Sequence, residues 1–323
     1  MASPSGRRRP ELRPFLALAA YLVVAVPICP AFFLGPLSVL LLISRPSTAR
    51  EWLWIGLCAG ALAAWFRLPD SLSQDTVRAG AVFFTGAFVA LTLAGVTSLS
   101  TRGFMAVIIS AALTAAWFAV LHLRFSALEQ DFQQQMWQSF RAMSTSLQLP
   151  AAPPPVTGNV LDALQSDSAA QRVAGALAST AAIYPALLAC AALLGVRLAW
   201  GWYQRVALRP LGGPARPFGE FRFNDHLIWV LVLAIAAALV NPGPRVTLVT
   251  WNVLAVVVAL YATRGLAVIT PVLKRASPFF IAALIVIMLL MFAFALVGCT
   301  LLGVADTWID FRRRRPPAMG ATA

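Results

Sequence analysis

One arginine stands where a charge is costly. Arg264 lies in the stretch Tyr261-Ala262-Thr263-Arg264-Gly265-Leu266, with apolar sequence for about twelve residues before it and nine after. A guanidinium in hydrocarbon needs a counter-charge or several acceptors. Asp306, near the end of the last apolar run, can supply the charge. Asn252 and Tyr261 precede Arg264 by twelve and three residues. At 100° per residue Tyr261 stands about 60° to one side of Arg264 and Asn252 about 120° to the other. Arg264, Asn252, Tyr261 and Asp306 are the candidate ligand-binding residues, polar groups around which a cavity could form. Gly265 would loosen the helix beside it and free backbone carbonyls, as in broken transporter helices. The competing reading is an Arg–Asp pair that locks helix register and binds nothing.

Other chemistry-bearing residues form no pattern. Cys29, Cys58, Cys190 and Cys299 each sit inside an apolar run, with no C-x-x-C pair to hold a metal. His122 and His226 stand alone at segment ends. There is no H-E-x-x-H, no G-x-S-x-G and no P-loop lysine sequence. The expectation is no metal, no cofactor and no enzyme activity.

The elements that must position these residues are membrane helices. Of 323 residues, 60% are hydrophobic and 11% charged, and mean hydropathy is +0.78. Soluble domains carry roughly 25% charged residues. This composition excludes a soluble enzyme, a disordered chain and a secreted disulfide scaffold. It predicts an all-α, polytopic transmembrane bundle. Net charge is +13, carried by arginine apart from Lys274. Most arginines punctuate the ends of apolar runs, as orientation signals and lipid-headgroup contacts do. No basic groove module accompanies them, so nucleic acid is not an expected partner. Membrane lipid is.

Five parts follow from the chain. Residues 1–13 are a basic tail and 14–123 an N-terminal bundle. Arg7-Arg8-Arg9 with the apolar run after them resembles the start of a signal peptide, but Pro27, Pro30 and continued apolar sequence argue for an uncleaved first membrane element. Pro27, Pro30 and Pro36 make 14–44 either one kinked span or a hairpin of two. Residues 51–66, 77–97 and 104–123 are further spans. Residues 124–172 form a central linker, in which Phe125, Leu128, Phe132, Met136, Phe140, Met143 and Leu147 make one apolar helix stripe ahead of the spacer Ala151–Pro155. That amphipathic helix packs on its own domain, or lies on lipid or a partner. Residues 173–305 form a C-terminal bundle from the runs 174–200, 227–240, 246–273 and 277–304, with an arginine-rich loop at 205–225. Residues 306–323 are an arginine-rich tail. Eight or nine spans result. Arginines at both ends place both termini in the cytoplasm of a bacterial inner membrane and favour eight. Small residues spaced four apart, Gly56/Gly60/Ala64, Gly86/Ala90/Ala94, Ala111/Ala115/Ala119 and Ala178/Ala182/Ala186/Cys190, suit close helix packing, internal or with a partner.

Three stretches carry a family resemblance: Trp200-Gly-Trp-Tyr-Gln-Arg205 with Leu211-Gly-Gly-Pro214 and Phe218-Gly-Glu-Phe-Arg222; Tyr261-Ala-Thr-Arg-Gly-Leu-Ala-Val268; and Leu302-Gly-Val-Ala-Asp306 with Asp310-Phe-Arg312. In these the C-terminal half resembles the YybS-like family of bacterial membrane proteins of unknown function. The resemblance implies a distant likeness to the substrate-binding components of energy-coupling-factor transporters, which are helical bundles that bind a small molecule and pair with a coupling subunit. Two functions are expected in competition. One is a transporter-type component binding a small solute at Arg264, Asn252 and Tyr261. The other is a non-transporting scaffold or accessory subunit that engages a partner through helix 125–147 and the 205–225 loop. An Arg264 exposed in a pocket favours the first; an Arg264 closed off by Asp306 favours the second.

Overall fold

Prolines and short polar residues cut the apolar runs into helices. A computed structural model of the protein describes residues 30–68, 71–95, 98–146, 175, 178–240, 243–273 and 276–309. The tail 1–13, residues 14–29 with Cys29, the linker from 147 to 172, Asn241-Pro242 and the run Arg312–Arg315 lie outside them.

Among the described residues there are ten α-helices, one short 3-10 helix and no strand. They are α1 (Ala31–Ile43), α2 (Ala49–Phe66), α3 (Leu72–Leu93), α4 (Leu99–Val120), α5 (Phe125–Ser146), α6 (Tyr184–Val206), α7 (Leu227–Val240), α8 (Pro244–Leu273), α9 (Pro278–Leu290) and α10 (Phe292–Ile309). The 3-10 turn is Phe218–Glu220. Five of them, α3, α4, α6, α8 and α10, are long and apolar enough to cross a membrane. The apolar helices α1, α7 and α9 have only 13, 14 and 13 residues, about 20 Å each at 1.5 Å per residue.

The run 277–304 is not one element. It breaks at Met291, leaving α9 and α10. Helix starts follow the sequence rules. Thr48 and Glu51 form a capping box on α2, and Ser71 and Ser277 accept the first-turn N–H groups of Gln74 and Phe280.

Contacts divide the chain into two compact units. One is everything up to Ala127 with Ala191–Ala215; the other is Leu128–Cys190 with everything from Arg216. The division passes through α6.

In the first unit, the segment after α6 is pinned by the Trp200–Arg205 motif. The Trp200 indole N–H donates to the Gly213 carbonyl at 3.3 Å, and the Leu211 N–H donates to the Tyr203 hydroxyl at 2.7 Å. Gly212 makes the turn at φ +83°, open to glycine without strain. Arg102 covers the other side of Trp200, its guanidinium carbon 4.5 Å from the ring centre. Glu51 ties the start of the segment by accepting the Leu208 N–H at 2.8 Å. Buried Arg78 donates to the Leu68 carbonyl at 2.7 Å, satisfying a backbone acceptor just past the end of α2. The resemblance-bearing motif is thus a folded corner.

In the second unit, α8 and α10 lie in backbone contact. A Cβ on Gly265 would run into the Cys299 carbonyl, and one on Gly303 into the Tyr261 carbonyl. Val258 meets Thr300 and Arg264 meets Asp306, each 42 residues apart, so the two helices run parallel. α9 must carry the chain back between them. The close approach therefore falls at Gly265 and Gly303. The stripes Gly56/Gly60/Ala64, Gly86/Ala90/Ala94 and Ala111/Ala115/Ala119 lie on exposed faces. On α5, Leu128 is buried and the Phe132 ring lies 4.1 Å from that of Tyr184, so part of its apolar stripe packs on the chain itself.

Candidate functional site

Arg264 sits on α8 one residue before the contact glycine. That position aims its side chain along the α8–α10 seam. Its Nε donates to Asp306 Oδ2 at 3.0 Å and its Nη2 to the Asp306 carbonyl at 3.2 Å. Both side chains are sealed, 2% and 0% exposed. Asp306 lies inside α10, three residues from its end. The expected pair therefore forms. In a low-dielectric interior such a pair is stable only with good geometry and its remaining groups bonded.

A second carboxylate completes the arrangement. Arg264 Nη1 donates to Asp225 Oδ1 at 2.7 Å, a charge-assisted length. Asp225 lies just before α7, where its carbonyl accepts the Ile228 N–H at 3.2 Å. Unlike Asp306, its side chain is 64% exposed. Phe223 lies against the cation, with the guanidinium carbon 5.4 Å from its ring centre. The same ring meets Tyr261 edge-on at 5.0 Å and Phe221 at 6.0 Å. Gly219 approaches the Pro271 ring of α8. The 216–226 segment is thus folded onto the last turns of α8, at the end of the unit where α10 also finishes.

Three of the four candidate residues gather here: Arg264, Tyr261 and Asp306. Tyr261 is fully buried in an apolar cluster with Leu231 and Val257. Asn252 does not join them. Twelve residues separate it from Arg264, about 18 Å along the helix. Its amide instead repairs a break. Pro185 at the start of α6 cannot donate an N–H and disrupts the turn before it. Asn252 Oδ1 accepts the Ala186 N–H at 3.0 Å, and its Nδ2 donates to the Ala182 carbonyl at 2.7 Å and to the Leu248 carbonyl at 2.9 Å. One side-chain amide stands between a donor and an acceptor that an unbroken helix would have paired directly. Its polar atoms are engaged in that splint.

Sequence reasoning placed Asp225 in the 205–225 loop but did not link it to Arg264. No local signal makes that link. The loop's fold decides it.

Among the described residues, no group of three or more His, Cys, Asp or Glu could hold a metal ion. A family model described as a predicted membrane protein, DUF2232, matches residues 15–307. The chain belongs to the DUF2232 family. The DUF2232 match runs through both compact units and takes in Asp225, Arg264 and Asp306. No curated protein and no solved structure matches the chain.

Proposed function

We propose that this DUF2232 protein is a non-transporting membrane component, a scaffold or accessory subunit that engages a partner protein through the 205–225 loop and helix α5. The observation that carries this reading is the state of Arg264. Its Nε, Nη1 and Nη2 all donate to oxygens of the chain itself. A guanidinium so occupied works as a clasp, fixing α8, α10 and the loop in register. The loop it holds presents exposed Arg216, Arg222 and Asn224, and α5 presents a polar face beside its packed stripe. A solute-binding component, the competing reading, needs one of those oxygens to give way, and Asp225 is the one exposed enough to do so.

The topology that goes with this reading has eight crossings and both termini on the cytoplasmic side of a bacterial inner membrane. The shared end of the 216–226 segment, α8 and α10 supports a loop on the same side as the C-terminal tail. We ascribe no catalytic step to the protein.

Co-purification from native membranes tests the partner reading. A partner that accompanies the full chain in fixed ratio should be lost when 125–147 is deleted, or when 209–216 is replaced by a Gly-Ser stretch. A set of co-purifying proteins unchanged by both alterations overturns it.

A further inference from the structure

The first unit has one end rich in cations and poor in acid. Glu51, at the start of α2, accepts the Leu208 N–H, so the start of α2 and the segment after α6 lie side by side. Four exposed arginines flank that meeting point along the chain: Arg45 and Arg50 on the approach to Glu51, and Arg205 and Arg209 around Leu208. Among the described residues of this unit the acids are Glu51 and Asp75. Asp75 is paired with Arg78, toward the opposite end of α2. Glu51 is 2% exposed and fully engaged: its Oε2 accepts from the Ser47 and Thr48 N–H groups and the Thr48 hydroxyl, its Oε1 from Leu208. None of the four arginines has a carboxylate within ion-pair distance among the described residues. Buried Arg102 adds a further cation at this end. It lies over Trp200 and donates to the Thr92 hydroxyl at 3.3 Å, with no acid against it among the described residues.

The indoles at this end fix its depth. Trp54 and Trp202 meet edge-on at 5.2 Å, and Trp52 is 55% exposed. Trp54 stands four residues inward of Arg50 and Trp202 three residues before Arg205, about 5 Å along each helix. Tryptophan settles at the level of the lipid headgroups. Guanidinium groups just outside it lie among the phosphates. On the other side of that level Leu53 and Leu57 leave an exposed apolar strip on α2, against which acyl chains can lie. Charge, depth and the apolar strip together match one class of partner, an anionic phospholipid.

We propose that this end of the first unit is a binding site for an anionic phospholipid, its headgroup held by Arg45, Arg50, Arg205 and Arg209 and its chains running along α2. Glu51 serves the site by joining the two segments that carry the arginines, while its own oxygens stay turned to backbone donors and away from the headgroup. The protein partner proposed above is offered Arg216, Arg222, Asn224 and α5, none of which belongs to this site.

The full chain in neutral detergent is titrated with dioleoylphosphatidylglycerol, and with dioleoylphosphatidylcholine as a match in chains and phosphate that carries no net charge. Native mass spectrometry counts the retained lipid, and the unfolding midpoint follows it. Phosphatidylglycerol should bind at least tenfold more tightly than phosphatidylcholine and should raise the midpoint. Arg45→Gln/Arg50→Gln/Arg205→Gln/Arg209→Gln should lose that preference, and the four corresponding Arg→Lys changes should keep it. Arg45→Gln/Arg50→Gln alone, which leaves the loop untouched, should weaken binding severalfold. Arg67→Gln/Arg124→Gln, at exposed arginines away from this end, should leave it unchanged. Equal retention of the two lipids overturns the proposal, as does full preference in a monodisperse quadruple Gln variant, or a loss in Arg67→Gln/Arg124→Gln as large as that at the site. An equal rise in midpoint with inorganic phosphate would make the ligand a free anion and overturns the lipid assignment. Loss of a co-purifying protein from the quadruple variant with its lipid preference intact overturns it too, and would make the surface a protein contact. The lipid titrations use purified chain and lipid alone, so they fail separately from the partner reading.

Discussion

At the scale of the residue, the two aspartates on Arg264 should behave differently when neutralised. Asp306→Asn removes the buried partner of a buried cation. Disruption of such a pair costs about 3–5 kcal/mol, because the remaining charge stays in a poor solvent. Asp225→Asn removes a partner whose side chain is largely in water. The charge removed stands largely in water, and the Asn amide oxygen can still accept from Nη1, so the loss should be smaller than for Asp306→Asn. Thermal unfolding of the detergent-solubilised variants measures the difference. If the two substitutions lower the midpoint equally, the division of labour between Asp306 and Asp225 is wrong. The buried pair was legible in sequence, because only one acidic residue stood in the closing apolar run near its end. Asp225 was not. Its partnership depends on how a polar loop returns to the bundle, and no periodicity encodes that.

At the scale of the element, the link between Asn252 and Pro185 makes a sharper prediction. Asn252→Ala leaves the Ala186 N–H and the Ala182 carbonyl without their side-chain partner. An unsatisfied buried backbone group costs about 1–3 kcal/mol. Pro185→Ala should let the helix close its own hydrogen bonds across the break. The double variant should then be more stable than Asn252→Ala alone. A double-mutant cycle on unfolding midpoints gives the coupling, and strict additivity would show that Asn252 does not splint that turn. A helix wheel drawn from the sequence sets Asn252 about 120° from Arg264. It could not say that a neighbouring helix had claimed the amide, because a facing direction is not a partner. The four-residue stripes of small side chains have the same weakness. Their spacing allows close packing anywhere, whereas backbone approach falls at Gly265 and Gly303, drawn from two different helices, and at Gly195 against Phe32.

At the scale of the whole molecule, the parallel run of α8 and α10 fixes which ends of the second unit lie together. The 216–226 segment and the end of α10 share one end, and the α7–α8 turn at Gly243 lies at the other end of α8. Single cysteines at Asn224 and Ile309 should therefore react with an impermeant thiol reagent from the same side of the membrane. A cysteine at Val246 should react from the opposite side. Labelling of all three from one side would mean that α8 does not cross.

Composition and hydropathy alone determined that lipid surrounds most of this chain, that its elements are helices, and that Arg264 needs an acidic partner. These follow from solvation, which is a property of residue types in order along a chain. Tertiary structure decided the rest: that α6 belongs to two units, that Asn252 mends a proline break, and that a loop aspartate completes the arginine's shell. Each of those is a meeting between residues tens of positions apart. Such meetings are set by how helices pack and where loops return, and many arrangements of the same apolar runs would satisfy the bilayer equally well.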